Sequence, residues 1–232
     1  MDETGTARAT IVGVVSGRGT DAFGREMNVV PSAVRWYRSL YVRVVGSLVR
    51  DLVDLSRLEN GVIELDRRIF ATRRLLAHVR DRHLPEIGLR RIDVRVDIDD
   101  DSDQMFGDPD RLEQVIENLF ANGLRHTQDA GCIMLSARTT GDTMNLSVSD
   151  SGVGIPPEHL PHVFERFYKA DAARTHLAEG SGLGLSIAKA IVERHGGTIA
   201  VSSMPSLTIF TIQLPQSGAS DSVQHHSAST NL

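Results

Sequence analysis

From Pro31 to Leu58 the apolar residues Val34, Tyr37, Leu40, Tyr41, Val44, Val45, Leu48, Leu52 and Leu55 recur at three- and four-residue steps. That spacing holds one face of a helix apolar, so it predicts a single long amphipathic helix whose stripe needs a partner helix. "ENG" at Glu59–Gly61 supplies the Asn and Gly that favour helix ends. "VIELD" at Val62–Asp66 then reads as a short strand, Thr72–His83 as a helix and "IDVRVDI" at Ile92–Ile98 as a strand. The acidic run Asp97–Asp103 is most simply a solvated turn. Residues 1–30 mix Gly, Thr, Arg and Asp without a sustained period, so no element is assigned there, and a lack of order is compatible with the pattern.

A second helical pattern lies in "GDPDRLEQVIENLFANGLRHT", Gly107–Thr127. Asp108 is placed as an N-cap, and Pro109 falls at the first helical position, where its missing N–H costs nothing. At about 100° per residue, Leu112, Val115, Ile116, Leu119 and Phe120 share one arc facing a core. Asn118, Asn122 and Arg125 form a polar stripe beside that arc, with His126 at the boundary. Strands at Cys132–Arg138 and Met144–Ser149 flank the turn "TTGD" and predict a hairpin. A third long helix over Leu183–His195 stops at "HGG", and "TIAVSS" and "LTIFTIQLP" alternate as two closing strands. Three parts follow: a helical segment at 31–60, an α/β domain at 61–215, and a Ser-rich tail at 216–232 too poor in large apolar residues to order itself.

Composition narrows the possible functions. The chain has 232 residues with 41% hydrophobic and 24% charged content, ordinary for a globular domain. A net charge of -5 argues against a nucleic-acid surface, which needs concentrated basic residues. Cys132 is the single cysteine, so a disulfide framework and a thiolate metal cluster are both excluded within the chain, and a reducing compartment suits it. Apolar runs such as "IVGVV" fall far short of the roughly 18 residues that span a bilayer, which predicts a soluble, cytoplasmic protein without membrane insertion.

Three stretches carry candidate chemistry. A pair of half-buried amides on the Gly107–Thr127 helix needs partners, and a divalent ion with phosphate oxygens would supply them; a plain polar stripe at the domain surface explains them equally well. "DSGVGIP" at Asp150–Pro156 sets one carboxylate beside two glycines that let backbone approach a flat ligand. A carboxylate only accepts hydrogen bonds, which suits an exocyclic amine such as that of adenine, although a mere turn reads the same. "EGSGLGLS" opens the third helix with Gly180, Gly182 and Gly184, where free N–H groups and the positive dipole end can hold phosphate. It is neither the dinucleotide-binding pattern nor a P-loop, since GK[ST] and a surrounding βαβ unit are missing.

Taken in order, these stretches resemble the ATP-binding catalytic domain of bacterial sensor histidine kinases, in the fold group shared with gyrase, Hsp90 and MutL. The resemblance covers about Leu48–Pro215. "NLFANGLRHT" looks like the family's N box, "DSGVGIP" its first glycine box, "FERFYKAD" at Phe164–Asp171 its F box and "GSGLGL" its second glycine box. It implies a two-layer α/β sandwich, the Bergerat ATP-binding fold, with a mixed sheet of about five strands and three helices on one face. ATP and Mg2+ would bind between the helices and a lid within about Tyr168–Ser181.

Residue by residue, the resemblance makes Asn122 the Mg2+ ligand, with Asn118 supporting metal and phosphates and Arg125 meeting phosphate oxygens. His126 would line the cleft, Asp150 would accept the adenine amine, and Gly152 and Gly154 would permit close approach of the base. Phe164 and Phe167 would anchor the lid and Lys169 would reach the phosphates, so Asn118 and Lys169 are the catalytic candidates. Gly180, Ser181, Gly182, Leu183 and Gly184 would hinge the lid and bind phosphate. Hydrolytic members of the fold group carry a glutamate base in the slot of Asn118, and a neutral amide cannot take that proton. Glu117 lies about 100° round the helix and points elsewhere. Transfer to an acceptor is therefore favoured over hydrolysis, by positioning and charge neutralisation.

Two departures from the family pattern matter. "RDLVDLSRLENG" at Arg50–Gly61 matches the end of the family's dimerisation hairpin, yet no histidine precedes His78 and nothing in residues 1–49 resembles the acceptor box. The chain thus looks like a kinase that begins midway through its dimerisation domain, with the phosphorylated histidine expected on a separate partner that relays to a response regulator. "SSMPSLTIFTIQLP" also lacks the Gly-rich turn usual before the last strand. Two other readings remain: a non-enzymatic regulator that docks on another kinase through the 31–58 helix, and a serine kinase of the anti-sigma type, which "DLSRLENG" and "FERFYKAD" disfavour.

Overall fold

The structure is a computed structural model that describes residues 18–20, 26–28, 49, 51–58, 60, 64–169 and 181–216. The greater part of the helix expected over 31–58, and the tail beyond Gln216, lie outside the described residues. Two units are distinguished, 1–50 and 51–232. In the first, β1 (Arg18–Thr20) and β2 (Glu26–Asn28) pair antiparallel with Arg18 opposite Asn28. No element was expected there, because three-residue strands are too short to display a period.

The second unit opens with helix α1 (residues 51–58), then β3 (Arg68–Ala71), α2 (Thr72–Arg82), α3 (Leu84–Arg90), β4 (Asp93–Ile98) and β5 (Gln104–Gly107). It continues through α4 (Pro109–His126), β6 (Cys132–Thr140), β7 (Thr143–Asp150), α5 (Gly184–Arg194), β8 (Thr198–Met204) and β9 (Leu207–Pro215). Five strands form one mixed sheet in the order β4-β6-β7-β9-β8, parallel only between β4 and β6. Helix α4 lies between α2 and α5 and packs on β7, while α5 covers β8 and α2 covers β4. This is the expected two-layer α/β sandwich.

Alternation decides which strand face is covered. Ile133, Leu135 and Ala137 of β6, Met144, Leu146 and Val148 of β7, and Phe210, Ile212 and Leu214 of β9 are buried. The residues between them, such as Ser136 and Ser147, face outward and hydrogen-bond each other across the strands at 2.6 Å. The β6–β7 hairpin turns on Gly141 and Asp142, and Gly141 takes φ +56°, a conformation that strains any other residue.

Helix α4 begins where its sequence says. Asp108 Oδ1 accepts the N–H groups of Asp110 and Arg111, each at 3.1 Å, which satisfies two orphan donors of the first turn. Its buried face is Leu112, Val115, Ile116, Leu119, Phe120, Gly123 and Leu124, so the arc drawn from spacing is the core face. Burying Phe120 and Phe210 completely stabilises by about 2–3 kcal/mol each. Thr127 ends the helix, its N–H and Oγ1 both donating to the Gly123 carbonyl at 2.9 and 2.7 Å.

Several local expectations are corrected. Glu64–Asp66, part of the expected "VIELD" strand, is not extended pairing; Val62 and Ile63 lie outside the described residues. The Asp66 N–H goes to Asp108 Oδ2 at 3.0 Å instead of to a ladder. Pairing falls on β3, which joins β5 antiparallel in a separate two-stranded sheet, Arg68 opposite Gly107. Helix α3 was not foreseen; it contains Pro85 and Gly88 and buries no residue, so no apolar period marks it. Within the acidic run, Asp97 belongs to β4, and buried Ser102 accepts the Thr139 N–H at 2.7 Å. Gln216, placed in the tail by composition, is fastened through its N–H to the Asp142 carbonyl at 2.7 Å.

Candidate functional site

The polar stripe of α4 faces the start of α5. A Cβ built on Gly184 would lie 3.2 Å from Asn118 Oδ1 and 3.4 Å from its Cγ, so the first residue of α5 rests against that amide. Asn118 Nδ2 is buried and has no hydrogen-bond partner among the described residues. An unmet buried donor costs about 1–3 kcal/mol, so this one is poised for an acceptor. Asn122 is half-buried one turn later, and Arg125 and His126 are exposed at the end of the helix.

Asp150, the last residue of β7, is 4% exposed. Burial without a cationic partner pushes its carboxyl up to about 6, against the pull of the Gly152 N–H, which donates to Oδ1 at 2.9 Å. A Cβ on Gly123 would sit 3.5 Å from Asp150 Cβ and 3.8 Å from Oδ2, so the carboxylate borders the last turn of α4, next to Asn122. The end of β7 therefore meets the last turn of α4 at Gly123.

The glycines of "DSGVGIP" have protein neighbours. A Cβ on Gly152 would meet Asp150 Oδ1 at 2.6 Å and the His126 carbonyl oxygen at 2.7 Å. Gly154 takes φ +82° and would meet the Met204 carbonyl oxygen at 2.6 Å. A side chain is thus excluded at both positions, at Gly152 by a carboxylate oxygen and a carbonyl and at Gly154 by a carbonyl.

The F box and second glycine box join through backbone. The Phe167 N–H donates to the Gly182 carbonyl at 2.9 Å, and Gly182, at φ +73°, leaves no room for a Cβ beside Phe167 Cα at 2.9 Å. This bond closes the base of the segment between them, of which residues 170–180, including Gly180, lie outside the described residues. Phe164 packs edge-on against Phe210 with ring centres 6.2 Å apart, whereas the Phe167 ring is 53% exposed, so its anchoring is by main chain. Lys169 is exposed, Leu183 is fully buried, and Ser181 Oγ accepts the Leu183 N–H at 3.3 Å.

Glu117 is directed away from this cleft. Arg82 bridges Glu113 and Glu117, His83 Nε2 lies 2.6 Å from Glu117 Oε1, and His78 Nδ1 lies 3.1 Å from Glu113 Oε2. These pairs tie α2 to α4 on the outer side, so Glu117 has no access to a ligand at Asn118.

Residues 107–218 match the family described as histidine kinase-, DNA gyrase B-, and HSP90-like ATPase. This segment belongs to that family. Over 174 residues, 74% of the chain, the protein is 33% identical to the sensor histidine kinase RcsC of Escherichia coli K12, of which it spans 18%. Over 118 residues, 51% of the chain, it is 42% identical to the sensor histidine kinase CusS of Escherichia coli O157:H7, of which it spans 24%. Among solved structures, the histidine kinase AdeS of Acinetobacter baumannii superposes with a TM-score of 0.68 at 28% identity, covering 82% of this chain and 87% of that one. Full-length ShkA, solved in complex with AMPPNP, superposes with a TM-score of 0.69 at 26% identity, covering 85% of this chain and 40% of that one.

Within this histidine kinase-type domain, Gly184 meets Asn118, and Asp150 and Gly152 meet the last turn of α4 at Gly123 and His126, whereas Arg125, His126 and Lys169 are exposed. Two contributing residues were missed from sequence. Thr208 is buried directly opposite Asp150 in the β7–β9 ladder, and cross-strand partners of this kind share a sheet face. Its signal was a lone hydroxyl on the inward positions of "LTIFTIQLP". His195, read only as a helix end, is buried with Nδ1 2.8 Å from the Ile191 carbonyl and Nε2 accepting the Asp108 N–H at 3.0 Å. It must be neutral to do both, and burial lowers its pKa. His195 thereby ties the end of α5 to the cap of α4. No helix among the described residues is long and apolar enough to cross a membrane.

Proposed function

We propose that this chain is the ATP-binding catalytic part of a two-component sensor kinase, transferring the γ-phosphoryl group of Mg·ATP to a histidine on a separate protein that relays it to a response regulator. The observation that carries the reading is the buried, unpartnered Asn118 Nδ2 at the start of α5, near the end of α4 where Asp150 is buried as an acceptor. A donor without an acceptor and an acceptor without a cation fit the two ends of a nucleotide, phosphate and adenine amine respectively.

Among the described residues no cluster of three or more His, Cys, Asp or Glu side chains could hold a metal. Asn122, half-buried one turn after Asn118, would offer its amide oxygen to a divalent ion such as Mg2+, which commonly takes few protein ligands beside the phosphates of its nucleotide. When bound, Mg2+ supplies charge neutralisation on the phosphoryl group. Asn118 donates to a phosphate oxygen, the N–H groups opening α5 receive the polyphosphate, and Asp150 accepts the amine and fixes the base. Arg125 and Lys169, exposed at the rim, meet charge on the transferred group. With Glu117 held by Arg82 and His83, water finds no base at Asn118, and transfer to an acceptor wins over hydrolysis.

The described histidines support an acceptor elsewhere. His78 and His83 are paired with glutamates, His159 with Tyr168 and His162 with Glu165, His195 is buried, and the sixth, His126, is exposed at the end of α4 and assigned here to the nucleotide cleft. Incubated with labelled ATP and Mg2+, the protein should label a partner bearing an acceptor-histidine hairpin, and not itself. Self-labelling in the absence of any partner would overturn transfer in trans; failure to bind Mg·ATP at millimolar concentration would overturn the nucleotide reading. Asn122→Ala should abolish labelling of the partner while leaving circular dichroism and Tm unchanged.

A further inference from the structure

Helix α3 buries none of its own residues, yet its last residue grips the end of α4. Arg90 Nη1 donates to the Leu124 carbonyl at 2.5 Å, Nη2 donates to the Thr127 carbonyl, and Nε donates to Asp129 Oδ1 at 3.0 Å. The Arg90 carbonyl accepts the Ala130 N–H at 2.9 Å, where the chain leaves α4 in a left-handed turn at φ +60°. The last four carbonyls of a helix have no partner within it. A guanidinium meets them with donors in a fixed fork and with the positive charge that this end of a helix favours. One side chain therefore holds the carbonyls on either side of Arg125 and His126.

The turn so held borders the acceptor end of the site. Gly123 abuts Asp150, and the His126 carbonyl oxygen stands 2.7 Å from where a Cβ of Gly152 would fall. Past the helix, a Cβ on Gly131 would lie 2.9 Å from Ser151 Oγ, which accepts the Cys132 N–H at 2.8 Å. The end of α4 and the turn after it thus lie against Asp150, Ser151 and Gly152.

We propose that Arg90 is a positioning residue for adenine recognition: by clamping the end of α4 it keeps Asp150 closed off from water, so that the carboxylate selects a base carrying an amine. This inference rests on the nucleotide reading given above. A buried acceptor left without a donor is costly, and that cost turns away a base lacking the amine. Where the end of α4 loosens, water reaches the carboxylate and takes the place of the missing amine, and the selectivity falls. A lysine at this position would keep the charge and lose the planar fork that spans both carbonyls.

The test measures binding of adenosine and of purine riboside, the same nucleoside without its amine, to the full 232-residue chain at pH 7.5. The unaltered chain should favour adenosine by at least about tenfold. Arg90→Ala and Arg90→Lys should each lower that ratio to about threefold or less, and Arg90→Lys carries the comparison if Arg90→Ala does not fold. Lost stability by itself reduces the folded fraction and weakens both ligands equally, so it leaves the ratio in place. Glu86→Gln, which removes the 3.4 Å ion pair of Arg90 within α3 and spares its grip on α4, should keep the ratio of the unaltered chain. A ratio unmoved by Arg90→Ala, fully kept by Arg90→Lys, or lowered equally by Glu86→Gln overturns the clamp alone; an unaltered chain that does not favour adenosine overturns the nucleotide reading with it.

Discussion

Asp150→Asn separates the energetic cost of the site from its use. In the folded chain burial pushes the carboxyl up to about 6 from an ordinary 3.8, because desolvation outweighs the single N–H donated by Gly152. A raised carboxyl pKa means that the folded state binds the proton more tightly than the unfolded one. Its contribution to stability is therefore fully present below pH 3.8 and is lost as pH rises through about 6. At 1.36 kcal/mol per pKa unit the whole loss would be about 3 kcal/mol, and solvent reaching the cleft reduces it to on the order of 2 kcal/mol. Asn keeps the shape and an acceptor for Gly152 but carries no charge. Urea denaturation should find the variant gaining about 2 kcal/mol on the unaltered chain between pH 4 and pH 7.5, other titrating groups cancelling in the difference. The same variant should lose adenine recognition, since an amide nitrogen turned toward the amine repels it. In the unaltered chain the carboxyl falls from roughly nine-tenths ionised at pH 7 to one-tenth at pH 5, which predicts about tenfold weaker adenosine binding. A stability difference that is the same at pH 4 and pH 7.5 would refute the buried, unpaired carboxylate.

The other expectations are more local. Gly152→Ala forces a methyl to within 2.6 Å of Asp150 Oδ1 and 2.7 Å of the His126 carbonyl, and should cost about 2–3 kcal/mol in urea midpoint measurements, with bound nucleotide unable to restore it. His195 runs opposite to Asp150. Burial lowers its pKa from 6.5, so its stabilisation is complete above pH 6.5 and is lost as pH falls through the lowered value. His195→Gln, which cannot gain a proton, should remove that acid-side loss from the pH dependence of Tm. Asn122→Ala should leave both pH profiles untouched while ending phosphotransfer, and a Tm change above a few degrees would mark Asn122 as structural.

What could be read locally was read from the chain alone. Helix α4 carries its cap, its first proline and its apolar arc within 20 residues, so spacing and turn chemistry named its start and its core face. The β6–β7 hairpin and the closing strands alternate strongly enough to reveal which face is buried. Four boxes in sequence order pointed to the family for the same reason, since each is a short run of residue types tied to one local geometry.

Contacts between distant segments were decided only in three dimensions. The β3–β5 pair joins residues about 36 positions apart with four-residue strands, and Asp66 turns to Asp108 across 42 positions; neither leaves a period to detect. Glu117 could be expected to point away from the metal amide, but that Arg82 and His83 hold it depends on how α2 packs on α4. The glycines of "DSGVGIP" were expected to admit a ligand; that a Cβ would meet Asp150 Oδ1 at Gly152 and the Met204 carbonyl at Gly154 depends on how distant segments fold together. Periodicity reports which face of an element is apolar; what a polar group meets on the other side is set by whichever element the fold brings there.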